Sequence, residues 1–427
     1  MMDDFGIDVI GSSILICYDQ GTPIISTDPW IDGSAYFGSW KLPHEVPAEQ
    51  KEAIFNSKYL WFSHGHPDHL NPESIKVLLE KGNKVLLPDH FGGRISKELK
   101  AIGFDVAILP DRKWINLSEK IKVLCIADIN QDAILLIDID GKLFVNLNDA
   151  FDYGWGRFVR REILKYKDSF LLTTVGHGEA THVNYYDKMG KHDHRLIHSP
   201  PLGVHLSRLS KSYKTNHIIP FSTAHKYQRK DSIWANKYIA DNNSFEEGYN
   251  NPNSILLPAY VRYHCTTGEY YSLNPKENPD RIIDPIEFGD DPHEMLEQND
   301  VKAIKDYFTS ISHLSKNMDF INVKVGGVIH TIELRKRHFN RGVTFECPRN
   351  SFMAAIHYKI FDDLLIGNFM KTTLHGKWPE SRLYPDFTPY VTKYADNGLA
   401  KSEEELYQYF SYYKKRAKLD FVIASIE

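Results

Sequence analysis

Between residues 7 and 27 the apolar positions fall in short runs, Ile7–Ile10, Ser13–Tyr18 and Ile24–Thr27, with Asp19-Gln20-Gly21-Thr22 as a turn between the last two. That pattern predicts a hairpin leading into Asp28-Pro29. From Lys58 the texture alternates: strand 59–63, a helical period through Ile75, Leu78 and Leu79 over 72–81, strand 84–88, helix 92–102 and strand 106–110. Alternation predicts α/β organisation. Consecutive strands follow at Lys120–Ala127, Ala133–Ile139 and Leu143–Leu147, the last two joined by the hairpin signal Asp140-Gly141. Phe170–Val175 and His217–Phe221 are further strands, separated by a segment rich in His and Tyr without a clear period. Two sheets packed face to face, with helices outside, suit this order.

Beyond about residue 240, turn-rich stretches such as Asn250-Asn251-Pro252-Asn253 and Asn274–Pro279 mark a boundary. The expected division is a catalytic domain over 1–245, a loop-rich linker over 246–298 and a smaller α+β domain over 299–427. In the last part the pattern predicts a helix at 299–316, strands at Phe320–Val325, Val328–Leu334, Gly342–Glu346, Ser351–Tyr358 and Asp363–Phe369, and a helix at 402–417. Lys414-Lys415-Arg416 is expected on a solvated face.

A chain of 427 residues with 42% hydrophobic and 25% charged residues has ample core material, and a net charge of −5 offers no basic footprint for nucleic acid. Acidic residues stand at the amino terminus where a signal peptide would be basic, and no apolar run reaches the roughly 20 residues of a membrane span, so a cytoplasmic protein is expected. Cys17, Cys125, Cys265 and Cys347 are scattered and form no C-x-x-C pair, which predicts buried free thiols.

The densest chemistry lies in Ser63-His64-Gly65-His66-Pro67-Asp68-His69, with three histidines and an aspartate in six positions. It follows an apolar strand and precedes a helix for which Asn71 is the N-cap and Pro72 the first residue. Imidazole and carboxylate are the usual ligands of a transition metal. In such a loop His64 and His66 can face one point while Asp68 and His69 face another, which predicts two metal positions; the alternative is a polar loop of solvated histidines.

This H-x-H-x-D-H loop, together with Gly11–Ile16 and Asp28-Pro29-Trp30, resembles the metallo-β-lactamase superfamily. Asp28–Ile31, Phe37-Gly38-Ser39-Trp40 and His44-Glu45 are similar, more narrowly, to the lactonase-like and CMP-N-acetylneuraminate hydroxylase-like branch. The resemblance implies a four-layer αββα sandwich. It also implies ligands at three strand ends: Asp128 completing one metal with His64 and His66, His225 completing the other with Asp68 and His69, and Asp149 bridging them. Asp128 stands where most members place histidine; a harder, more anionic site favouring iron or manganese over zinc would follow, or else a solvated turn residue. Asp68 and Asp149 are the candidate catalytic carboxylates.

Softer candidates for substrate contact are Lys226, Arg229, His177, His182, Tyr153 and Trp155, against the alternatives of a solvated helix face, long polar loops and aromatic core. The expected function is hydrolysis of an ester, lactone or phosphodiester at two divalent ions, iron, manganese or zinc, in a small molecule whose implied class includes a nucleotide-activated or acidic sugar. Oxygenation of such a sugar is the competing expectation. No cysteine is followed by histidine two or three positions on, so a Rieske cluster is not expected and electrons would come from a separate donor or the substrate. A non-catalytic binding module is the third.

Overall fold

A computed structural model describes residues 4–150, 155–174, 184–187, 189–192, 201–222, 224–239, 245–335, 340–394 and 400–424. Two large sheets face each other. The first runs, in spatial order, Tyr270–Ser272, Val261–His264, Gly6–Val9, Leu15–Asp19, Thr22–Thr27, Tyr59–Trp61, Lys84–Pro88 and Val106–Leu109. The second runs Ile255–Leu256, His217–Phe221, Asp168–Thr174, Lys142–Asn148, Ala133–Ile139, Ile121–Ala127 and Trp114–Asn116.

Alternation along the strands dictates the layers. Ile121, Val123 and Cys125, with Leu135, Ile137 and Ile139, point to one side and meet Ile7, Val9, Leu15, Cys17, Ile25 and Trp61 of the first sheet. Their neighbours Leu124, Ile126, Ile134 and Leu136 point the other way, onto helices Gly156–Ile163 and Leu202–Tyr213 through Val159, Ile163, Leu206 and Tyr213. On the outer face of the first sheet, Ile16, Leu60, Phe62 and Val85 pack against helices Ala48–Asn56, Pro72–Leu79 and Arg94–Ala101 through Ile54, Ile75, Leu78 and Leu99. The order is therefore helix, sheet, sheet, helix, as the pattern predicts. All four cysteines are buried free thiols, and no helix among the described residues is long and apolar enough to cross a membrane.

The stretch 246–298 departs from the expected linker. It supplies Ile255–Leu256 to the second sheet and Val261–His264 with Tyr270–Ser272 to the first. Arg262 is buried there, its guanidinium bonded to Asp8 at 2.5 and 2.6 Å. Turn signals bound short strands as well as domains, so turn-rich sequence alone does not separate the two.

The carboxy-terminal part builds a third sheet, ordered Tyr185–Tyr186, Lys371–His375, Gly342–Glu346, Phe320–Val325 and Val328–Glu333, and shares one continuous core with the outer helices of the second. Two expected strands are helices, Arg349–Tyr358 and Phe361–Ile366. The reason is legible afterwards: Ser351, Phe352, Ala355 and Ile356 are the buried positions of the first, two adjacent pairs four residues apart, a helical rather than an alternating period. The helix expected at 299–316 is Gln298–Ser310, ended at Ile311, followed by a short turn of helix at Leu314–Asn317. In the last long helix, Glu403–Arg416, Arg416 is not simply solvated: it pairs with Asp89 at 2.6 Å and lies 4.2 Å over Tyr412.

Arg229 is a structural tie rather than a substrate contact. Fully buried, it donates to Asp290 at 2.8 Å, to Asp231 at 2.9 and 3.0 Å and to the Phe37 carbonyl at 2.9 Å, with its guanidinium 4.0 Å over Phe369. Asp290 in turn accepts from the backbone N–H and hydroxyl of Ser351. Replacing Arg229 by methionine strands the Asp290 charge in the interior. The expected outcome is a loss of about 3 kcal/mol of unfolding free energy, read from the urea midpoint.

Candidate metal centre

The histidine loop hangs between strand Tyr59–Trp61 and helix Pro72–Leu79. Asn71 caps that helix, accepting from the N–H groups of Glu73 and Ser74 at 3.1 Å. Upstream, the His69 and Leu70 N–H groups turn back onto the His66 carbonyl. The downstream end of the loop is thereby fixed against the helix, and all three imidazoles lie on one rim of the sandwich.

Asp28 organises that rim. Fully buried at the end of strand Thr22–Thr27, with φ of 39°, it accepts from the Ser63 N–H and hydroxyl at 2.8 Å, from Asn148 Nδ2 at 2.9 Å and from His69 Nδ1 at 3.2 Å. A carboxylate on Nδ1 holds the His69 ring so that Nε2 faces the opposite way. There Nε2 lies 3.2 Å from Asp149 Oδ2 and 3.4 Å from Asp68 Oδ2, an ion pair with each when the ring is protonated. The outer oxygens of both carboxylates are tied back: Tyr36 donates to Asp68 Oδ1 at 2.6 Å and Ser222 to Asp149 Oδ1 at 2.5 Å. Asp149 is aimed by a bulge, since the pairing of Lys142–Asn148 with Asp168–Thr174 slips between Asn146 and Asn148, and Asn148 takes φ of 52°.

His64 Nε2 is 2.8 Å from His66 Nδ1 and 4.0 Å from Asp149 Oδ2, while its Nδ1 sits 2.9 Å from both Ser63 Oγ and Asp132 Oδ1. His66 reaches further, its Nε2 3.2 Å from Asp362 Oδ2. Two sets of ligand atoms each lie within 4.8 Å of one another: His64, His69 and Asp149, and His66 with Asp362 and Asp363.

The electrostatics of the donor set call for positive charge. Burial would push the His69 imidazole down, but Asp68 and Asp149 outweigh it and hold the ring well above the usual histidine range. Burial, with His69 and His66 alongside, drives His64 down to about 3. Asp149 and Asp68 stay below the usual carboxylate range despite burial because His69 faces them. A proton on His69 thus stands in for a cation. Imidazole nitrogens and carboxylate oxygens gathered within 4.8 Å of one another fit a transition-metal ion.

The predicted set divides accordingly. His64, His69 and Asp149 come together, with Asp68 3.4 Å from His69, whereas His66, 2.8 Å from His64, falls with Asp362 and Asp363; the expected division of His64 with His66 and of Asp68 with His69 is not the grouping found. Asp128 does not join either set: its Oδ1 caps its own turn, accepting from the N–H groups of Asn130 and Asp132 at 2.7 and 2.9 Å. The hairpin between Ile121–Ala127 and Ala133–Ile139 instead turns Asp132 toward His64, where burial and Asp149 raise its carboxyl to about 7. His225 stacks on Trp40 at 3.6 Å and belongs to neither set. Lys226 pairs with Asp280 at 3.1 Å, and Trp155 is buried in core beneath the Arg112 guanidinium, 4.9 Å away. Tyr153, His177 and His182 lie outside the described residues. Sequence reasoning missed Asp132, Tyr36, Asp362 and the role of Asp28; only Asp28, beside its proline, had a local signal.

No protein-family model matches the chain. In sequence it is 27% identical over 146 residues to the cytidine monophosphate-N-acetylneuraminic acid hydroxylase of Asterias rubens, 32% of this chain but only 22% of the relative's length. Among solved structures it is similar to the metallo-β-lactamase fold protein YhfI from Bacillus subtilis, at 9% identity and a TM-score of 0.37 over 61% of this chain and all of the other. An isothiocyanate hydrolase from Delia radicum gut bacteria is similar at 14% identity and a TM-score of 0.39, over 63% of this chain and 99% of that one.

The two aspartates of the hairpin should separate in experiment. Asp128→Asn keeps the turn's acceptor and is expected to leave manganese or cobalt affinity unchanged, whereas Asp132→Ala, which removes the carboxylate beside His64, is expected to weaken it about 10-fold in a metal titration.

Proposed function

We propose that the chain is a metal-dependent hydrolase that cleaves an ester, lactone or phosphodiester of a small molecule at a dinuclear centre held by His64, His66, Asp68, His69 and Asp149. The observation that supports this reading is the approach of His69 Nε2 to two carboxylates whose other oxygens are already bonded elsewhere. When bound, cations at such a centre supply a water ionised near neutral pH and a Lewis-acidic partner for the substrate oxygen. The chain's own groups set the stage. Asp28 fixes the tautomer of His69 by accepting its Nδ1 proton. Tyr36 and Ser222, as donors, leave Asp68 and Asp149 each with one oxygen for the centre. His69 is sealed, whereas the Asp149 side chain is 30% and His66 24% exposed, so substrate would approach over these two while the buried side keeps bulk water away from the ligands.

A second reading has its own support. The likeness to a sialate hydroxylase and a donor set rich in carboxylate, harder than a typical zinc site, favour oxygenation of a nucleotide-activated acidic sugar, with electrons from a separate donor. Metal analysis after anaerobic purification decides between them. Zinc or manganese, with cleavage of a lactone or bis(p-nitrophenyl) phosphate that falls at least ~100-fold in His69→Ala, is the expected outcome. Iron with oxygen uptake dependent on a CMP-activated acidic sugar would assign the oxygenase, and a chain that returns without metal would be a binding module.

A further inference from the structure

The carboxy-terminal part reaches into the rim it was expected only to accompany. Helix Phe361–Ile366 is anchored in the core by Phe361, Leu364 and Leu365, leaving Asp362 and Asp363 on its first turn beside His66. The carboxy-terminal part is tied to the sandwich by hydrogen bonds at several separate points. Ser39 Oγ donates to the Gly367 carbonyl at 2.5 Å, and Asn368 Nδ2 to the Tyr227 hydroxyl at 2.6 Å. Lys393 donates to Asn130 in the Asp128–Asp132 turn at 3.0 Å, the Tyr409 hydroxyl to the Ile129 carbonyl, and the Phe91 N–H to the Tyr413 hydroxyl at 3.1 Å. Asp362 is itself buried, with 8% of its side chain exposed, so its carboxylate is not a surface group that happens to swing inward.

The ring of His66 needs such a partner. His64 has Ser63 and Asp132 on its Nδ1, and His69 has Asp28. Of the three imidazoles only His66 receives its carboxylate from outside the sandwich: Nε2 meets Asp362 Oδ2 at 3.2 Å, 296 residues on, which leaves Nδ1 facing His64 Nε2 at 2.8 Å. A ligating histidine that donates its other ring N–H to a carboxylate has its tautomer and orientation fixed and its basicity raised.

We propose that Asp362 is a positioning residue of the metal centre: by accepting the Nε2 proton of His66 it presents Nδ1 as the ligand atom, so that the carboxy-terminal module completes the site. This rests on the reading of His66 as a metal ligand. Cobalt(II) titration of the full chain, followed by visible absorption, tests it without recourse to turnover. Asp362→Asn should raise the cobalt dissociation constant about 10- to 100-fold at one of the sites, and Asp362→Glu should recover most of the loss. Glu403→Gln, another carboxylate of the module, paired with Lys316, should change nothing.

A purely structural role is separated by a double-mutant cycle. In a His66→Gln background Asp362→Asn should cost no further affinity, because the group it acts through is gone. An equal additional loss in that background, or an Asp362→Asn chain that binds cobalt within about twofold of the unsubstituted one, overturns the proposal. If Asp362→Asn lowers the melting temperature of the metal-free chain, the Asp362→Glu chain in the two backgrounds supplies the same comparison. An unsubstituted chain that binds no cobalt, manganese or iron removes the metal centre itself, an outcome distinct from tight binding that ignores Asp362.

Discussion

Carboxylates buried side by side repel and lose their hydration, and a protein keeps them only where each oxygen has a donor or a cation to face. The rim of this sandwich gathers Asp28, Asp68, Asp132, Asp149 and Asp362 around three histidines, and that requirement shapes everything near it. Asp28 spends its oxygens on Ser63, Asn148 and His69; Tyr36 and Ser222 take one oxygen each from Asp68 and Asp149. What remains uncompensated is concentrated where His69 and His64 meet, and there the His69 ring is driven toward its charged form.

Holding such a cluster costs backbone conformation as well. Asp28, Asn148 and Ser222 all take φ between 39° and 68° at the ends of three strands from the two facing sheets. Residues other than glycine avoid that region by roughly 1–3 kcal/mol each, and persist there only where the surroundings over-determine them. The surroundings here are the strands themselves, whose ladder bonds and interdigitated side chains between the sheets leave the following residue little choice. The sandwich is the rigid element, and the rim chemistry is mounted on its strand ends.

Much of this is legible in the sequence because it is local or periodic. The consecutive apolar runs at Ile121–Ala127 and Ala133–Ile139 give buried strands of one of the facing sheets, and the Asn71-Pro72 start of a helix gives the loop that carries His64, His66, Asp68 and His69. What escapes is what depends on distance. Nothing near Asp132 marks it rather than Asp128 as the neighbour of His64, because the choice is made by a hairpin whose first aspartate caps the turn and whose last is swung outward. Arg229 reads as a free cation beside a histidine until the loop bearing Asp290 folds over it. The two helices at 349–366 read as strands since short apolar runs rich in Phe and Ile satisfy either period, and only their packing decides.

The separation between His66 and Asp362 has a consequence for how the protein comes into being. Domains assemble in the order in which they leave the ribosome. The histidine loop emerges 296 residues before Asp362. A nascent chain therefore carries the His66 ring without the Asp362 carboxylate until those 296 residues have followed it out.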